Sequence, residues 1–254
     1  MTLPKVFQKI LTAIAFLLAV SAFSWPLFLN KVTSSEAGIA QTAFMLLMPL
    51  LLILILVEIT AGETKPQQLA LLAVLTALNS VIRMLGAGFA GIETAFFLIV
   101  IASYIFRSRF GFAFGSLSML VSALLTGGVG PWLPFQMMAA GLIGFGAGLL
   151  PKASSTWKQV SLLVFYAVFA SFSYGALMTL WNWPFLAGLG TSLSFEPGAG
   201  FVSNLQKFWQ YQIFTGGLLW DAGRAITTSI LIFLTAPALL TTLRRAASRA
   251  GIKN

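Results

Sequence analysis

The sequence predicts an all-α integral membrane protein of about eight transmembrane helices, with both ends of the chain in the cytoplasm. Three observations carry that prediction: composition, block length and the placement of basic residues. Hydrophobic residues make up 58% of the 254 and charged residues only 8%, where a soluble domain of this size carries about 25% charged residues. The apolar residues also fall into blocks near the ~20 residues that a bilayer core requires.

Taken in order, the blocks predict helices at about 10–29, 41–61, 67–85, 91–106, 111–127, 134–150, 159–182 and 222–243. The first follows Lys5 and Lys9 and contains Val20-Ser21-Ala22, a passable leader cleavage site. Its length and its Trp25-Pro26 end fit a retained helix better than a short leader core. Pro66 and Pro134 open the third and sixth helices, since proline is tolerated in a first turn. Arg107-Ser108-Arg109 makes a hairpin that only antiparallel neighbours can share, and Pro151-Lys152 closes the sixth helix. The fourth block is the weakest, because Gly86, Gly88 and Gly91 lead into it and its dense apolar part runs only from Ala95 to Phe106. The chain divides into a pair of helices over 1–64 and a six-helix membrane domain over 65–254.

Basic residues test this threading. With a cytoplasmic start, eleven fall inside (Lys5, Lys9, Lys65, Arg107, Arg109, Lys152, Lys158, Arg244, Arg245, Arg249, Lys253) and four outside (Lys31, Arg83, Lys207, Arg224). That is the bias of cytoplasmic loops. The net charge of +9 therefore records orientation and not a nucleic-acid partner. External connections differ in kind: Thr126 to Trp132 reads TGGVGPW, and Asn182 to Asp221 forms a loop of about forty residues rich in aromatics. A loop that long is functional or disordered, and its aromatics argue against disorder. The working face is predicted to be external.

Chemistry is limited by what is missing. The chain has no Cys and no His, which removes thiol nucleophiles, imidazole bases and the usual zinc and haem ligand sets. No catalytic residue, metal site or cofactor is predicted. The candidate binding residues are Arg83 and Glu93, which flank the glycine-rich turn; Asp221 and Arg224, one helical turn apart; and the ring and amide side chains Trp132, Gln136, Trp209, Tyr211 and Trp220. Ionisable groups at membrane depth mark sites or pathways, although near the interface they also snorkel or complement a helix dipole. Interfacial anchoring explains some of the aromatics. A cap of rings over glycine turns also suits a flat, partly apolar solute.

Ala70, Ala73 and Ala77 form a small-residue stripe at i, i+3 and i+7. Such a stripe serves internal packing or the docking of a separate membrane subunit. Gly111 with Gly115, and Gly144 with Gly148, have similar spacing.

Residues 67–243, about 70% of the chain, resemble the substrate-binding S components of energy-coupling factor (ECF) vitamin transporters. The run AVLTA (Ala73 to Ala77) is similar to the AxxxA motif of that family's first core helix. The segments LGAGFAGIETAFF (85–97), SALLTGGVGPWLPFQMM (122–138) and WDAGRA (220–225) look like a bacterial subgroup associated with cobalamin or related compounds. The extra pair of helices departs from the minimal six-helix pattern, and its even number preserves the cytoplasmic start.

The resemblance implies a bacterial plasma-membrane protein that captures a vitamin, cobalamin or a precursor, from outside. It implies that Ala70, Ala73 and Ala77 meet a membrane coupling subunit, and that the protein topples in the lipid bilayer to release solute inward. Two cytoplasmic ATPase subunits would supply the energy, and this chain has no GxxxxGK[ST] string. An S component for another vitamin is the nearest alternative. A membrane-embedded enzyme lacks the clustered acid–base or metal groups it would need. A self-sufficient secondary transporter places its charges nearer the midplane, and a scaffold would bind no solute.

Overall fold

In the computed structural model the described residues are 65–86, 91–186, 191–196 and 198–252, with scattered positions before residue 65. The expected helices 10–29 and 41–61 lie almost wholly outside the described residues; their few described positions are helical. Over the rest the chain forms seven helices: α1 (Pro66–Leu85), α2 (Ala95–Phe106), α3 (Ser108–Thr126), α4 (Leu133–Leu149), α5 (Thr156–Leu186), α6 (Phe201–Phe214) and α7 (Gly217–Arg249). Four of them, α1, α3, α5 and α7, are long and apolar enough to cross a membrane, and α2 and α4 are shorter apolar helices. This is an all-α membrane protein.

The bundle is built around α2. All twelve of its residues are buried, which is the fate of a helix that is hydrophobic on every side. At 1.5 Å per residue it rises only about 18 Å. The expected start at 91 is corrected to Ala95. Gly91 sits at φ +77 and breaks the helical path, while Thr94 Oγ1 donates to the Ile82 carbonyl at 2.6 Å and ties the turn to α1.

At the other end of α2 the chain reverses on a single residue. Arg107, at φ 79 and ψ 174, caps α2 and starts α3. The hairpin is therefore tighter than the three residues expected.

Helices α3 and α4 lie against each other along glycine. A Cβ on Gly111 would strike the Gly144 carbonyl, one on Gly144 the Gly111 carbonyl, and one on Gly115 the Ala140 carbonyl. Small residues let the two backbones approach this closely. Phe23, from the N-terminal region, packs edge-on against Phe135 at 5.5 Å, and Phe135 stacks on Trp181 of α5 at 4.1 Å.

Two helices outrun their apolar blocks. The α5 helix extends beyond 159–182 at both ends and α7 beyond 222–243, because interfacial Trp, Lys and Arg end a hydropathic block without ending a helix.

The two ends of the bundle carry different charges. Lys65, Arg107, Arg109, Lys152, Lys158, Arg244, Arg245 and Arg249 gather where α2, α4 and α7 finish. The three carboxylates among the described residues, Glu93, Glu196 and Asp221, all lie at the opposite end, where those helices begin. The first is called the basic end and the second the site end below.

Candidate functional site

Four of the sequence-predicted residues meet at the site end in one network. Arg224, in the second turn of α7, donates from Nε to Glu93 Oε2 at 2.8 Å and from Nη1 to Asp221 Oδ1 at 2.6 Å. Nη1 also reaches the Ser171 carbonyl of α5 at 3.1 Å, and the guanidinium lies 4.9 Å from the Tyr174 ring centre. Arg83, from the last turn of α1, comes within 3.9 Å of Glu93 Oε1 and donates to Ser122 Oγ of α3 at 2.9 Å. Glu93 thus bridges two arginines, and Arg224 bridges two carboxylates. One network joins α1, α3, α5, α7 and the lead into α2.

The expected pairs Arg83–Glu93 and Asp221–Arg224 are both present, and Arg224–Glu93 links them. Asp221 and Arg224 are only 2% and 5% exposed, deep burial that charged groups tolerate only when paired and hydrogen-bonded. The backbone makes room for them. A Cβ on Gly175 of α5 would overlap the Asp221 carboxylate.

Above the network lies α6, which the expected forty-residue loop concealed. Gly200 and Gly216, at φ +83 and +81, bracket it. Its buried residues Asn204, Phe208 and Gln212 are spaced i, i+4, i+8. Gln212 Nε2 donates to Asp221 Oδ2 at 2.9 Å and so attaches the helix to the network. Asn204 exchanges hydrogen bonds with the Glu196 backbone at 3.1 and 3.0 Å. Trp183, Phe195 and Phe208 form a separate small core beneath this layer, with Trp183 Nε1 donating to the Leu193 carbonyl at 2.9 Å.

The remaining predicted residues stay apart from the ions. Trp132, Trp209 and Trp220 are nearly half exposed. Gln136 is partly buried, and Tyr211 packs beside the Trp183 cluster. Trp209 contacts Phe208 at 5.4 Å.

Sequence reasoning missed Gln212, Tyr174, Ser171 and Ser122. Only Gln212 carried a readable signal, the i, i+4, i+8 spacing between two glycines. Ala70, Ala73 and Ala77 are exposed on α1, in a face that also exposes Leu69, Val74, Leu78 and Val81.

The described residues thus form an apolar helical membrane bundle with a buried ionic network at one end. The family described as ECF-type riboflavin transporter, S component, matches residues 63–196, about half of the chain. The chain belongs to this family of ECF transporter S components, membrane subunits of vitamin transporters. No curated protein and no solved structure matches it.

Proposed function

We propose that this S component captures its vitamin at the site end from outside the cell and delivers it inward. The single observation that carries the reading is the Arg83–Glu93–Arg224–Asp221 network, buried at one end of a bundle whose middle is otherwise uncharged and overlaid by α6. Ionisable groups placed there at a cost mark a binding site. Trp132, Gln136, Trp209, Tyr211 and Trp220, at the same end of the bundle, would offer the solute ring and amide surface. The eight cations of the basic end support a cytoplasmic placement for that end and for the C-terminus, in a bacterial plasma membrane. The exposed stripe of Ala70, Ala73 and Ala77 would then dock on a membrane coupling subunit, with ATP hydrolysed by two separate cytoplasmic ATPase subunits.

For the solute, the string 122–138 favours cobalamin or a cobalamin precursor, and the description of the matching family favours riboflavin as the second reading. Mass spectrometry of whatever copurifies with the detergent-solubilised chain, followed by calorimetry with cyanocobalamin and riboflavin, decides between them. Binding heat with neither vitamin would reject both. Sidedness has its own test: the chain has no cysteine, so a single Cys at Lys207 or at Arg249 can be labelled in whole cells. Only the Lys207 position is expected to react with a membrane-impermeant maleimide, and the reverse result would overturn capture from outside.

A further inference from the structure

We infer that Asn79 is a solute-recognition residue and takes a neutral carboxamide or imide edge, one that sets a hydrogen-bond donor beside an acceptor. This rests on the solute-capture reading above. Asn79 lies one helical turn from Arg83 on α1, towards the basic end. Its side chain is fully buried, and among the described residues neither Nδ2 nor Oδ1 has a hydrogen-bond partner.

The surroundings are polar too. Thr76 Oγ1 on α1 and Ser118 Oγ on α3 are also buried without a partner. Two bonds fix how these helices face each other: Ser80 Oγ reaches the Ser118 carbonyl at 3.2 Å, and Arg83 Nη1 reaches Ser122 Oγ at 2.9 Å. A polar seam therefore runs between α1 and α3 from Thr76 and Ser118 up to the ionic network.

An unpaired amide in such a place is expensive, and an apolar side chain of similar shape would be free of that cost. A lone buried hydroxyl such as Ser103 Oγ on the neighbouring α2 is also without a partner among the described residues, but Asn79 leaves both a donor and an acceptor unmet on one side chain. A carboxamide offers a donor and an acceptor side by side. Its complement is another amide or imide edge, as in the paired contacts by which Asn reads adenine.

The charge of the edge follows from the network. Arg83 and Arg224 balance Glu93 and Asp221, and all four are engaged with one another. Among the described residues at this end, Lys207 is likewise paired, with Glu196, so none of these three cations is left over for a phosphate or carboxylate. The imide edge of a flavin ring and the peripheral carboxamides of a corrinoid both meet the requirement, whereas a phosphate ester adds charge that finds no partner.

The test uses the full chain in detergent and isothermal calorimetry with riboflavin, flavin mononucleotide and cyanocobalamin. Whichever vitamin binds the wild type is expected to bind Asn79→Leu about 30-fold more weakly, the loss of two hydrogen bonds. The thermal midpoint of ligand-free Asn79→Leu should equal or exceed that of the wild type. Should the variant fail to fold, the edge is altered on the solute instead. 3-Methylriboflavin, or a corrinoid with one amide hydrolysed to a carboxylate, should then bind the wild type at least about 10-fold more weakly than its parent.

Unchanged affinity for Asn79→Leu overturns this inference and leaves the capture reading intact. So does equal affinity of the wild type for the altered solute and its parent. A wild-type chain that binds neither vitamin rejects both solute readings, and this inference with them.

Discussion

Two stripes of small residues with nearly the same spacing meet opposite fates in this molecule. Gly111, Gly115, Gly144 and Gly148 are consumed inside the bundle, where α3 and α4 approach until added Cβ atoms would collide with the facing backbone. Ala70, Ala73 and Ala77 lie exposed on α1. Spacing alone cannot separate the two, because close approach uses the same pattern whether the partner is internal or external. Burial separates them. A small-residue face left uncovered is available to another subunit, and one already filled with backbone is not.

The sharpest way to break this comparison is to enlarge both stripes. Gly144→Leu would drive a side chain into the Gly111 carbonyl, and backbone on both sides leaves nowhere to yield. It is expected to cost more than about 3 kcal/mol and to leave no monodisperse protein on size exclusion. Ala73→Leu with Ala77→Leu should behave otherwise. The double variant is expected to fold and bind solute as the wild type does while uptake in whole cells falls at least about 10-fold. Normal uptake would remove α1 as the docking face, and a folded Gly144→Leu would show that the α3–α4 contact is looser than its geometry.

A middle-sized effect concerns the network. Removing one partner of a buried ion pair leaves an uncompensated charge, at a cost of about 3–5 kcal/mol. Arg224→Met strands Asp221 at 2% exposure and should lower the thermal midpoint well below that of the wild type. Asp221→Asn combined with Arg224→Met should recover part of that loss. If the two single losses simply add, the pair is not coupled.

The sequence displayed the large apolar elements and hid the polar ones, for a physical reason. Spans of about 20 apolar residues announce themselves: α1, α3 and α4 appear within three residues of where hydropathy places them, while α5 and α7 outrun their blocks. Arg83, Glu93, Asp221 and Arg224 were legible because charge is rare in this chain. Gln212 and Asn204 showed only as an i, i+4, i+8 spacing with Phe208, not as a hydropathic block. They sit on the inward face of α6, so the buried side of that helix is polar and its hydropathy falls below that of a span. Tyr174 and Ser171 join the site only through the packing of α5 against α7, a contact between residues about fifty positions apart that no local pattern encodes.

The smallest expected effect lies at the foot of the glycine seam. There Gly148 packs against the backbone of Arg107 and Ser108, and Lys152 follows with Nζ 4.3 Å from the Tyr104 ring centre. Burial, then the charges of Arg107 and Arg244, lower the Lys152 pKa to about 8. An unfolded lysine titrates near 10.4. Between those two values the unfolded chain holds the proton that the folded chain has lost, so stability rises with pH across the window and is lowest below it. Lys152 is half-exposed and its charge is screened, so the gain is small, a rise of about 1–2 °C in thermal midpoint from pH 8 to pH 10. Lys152→Met should flatten that slope. An unchanged slope would mean that the tight α3–α4 approach does not press these three cations together, and that the basic end yields where the glycines above it do not.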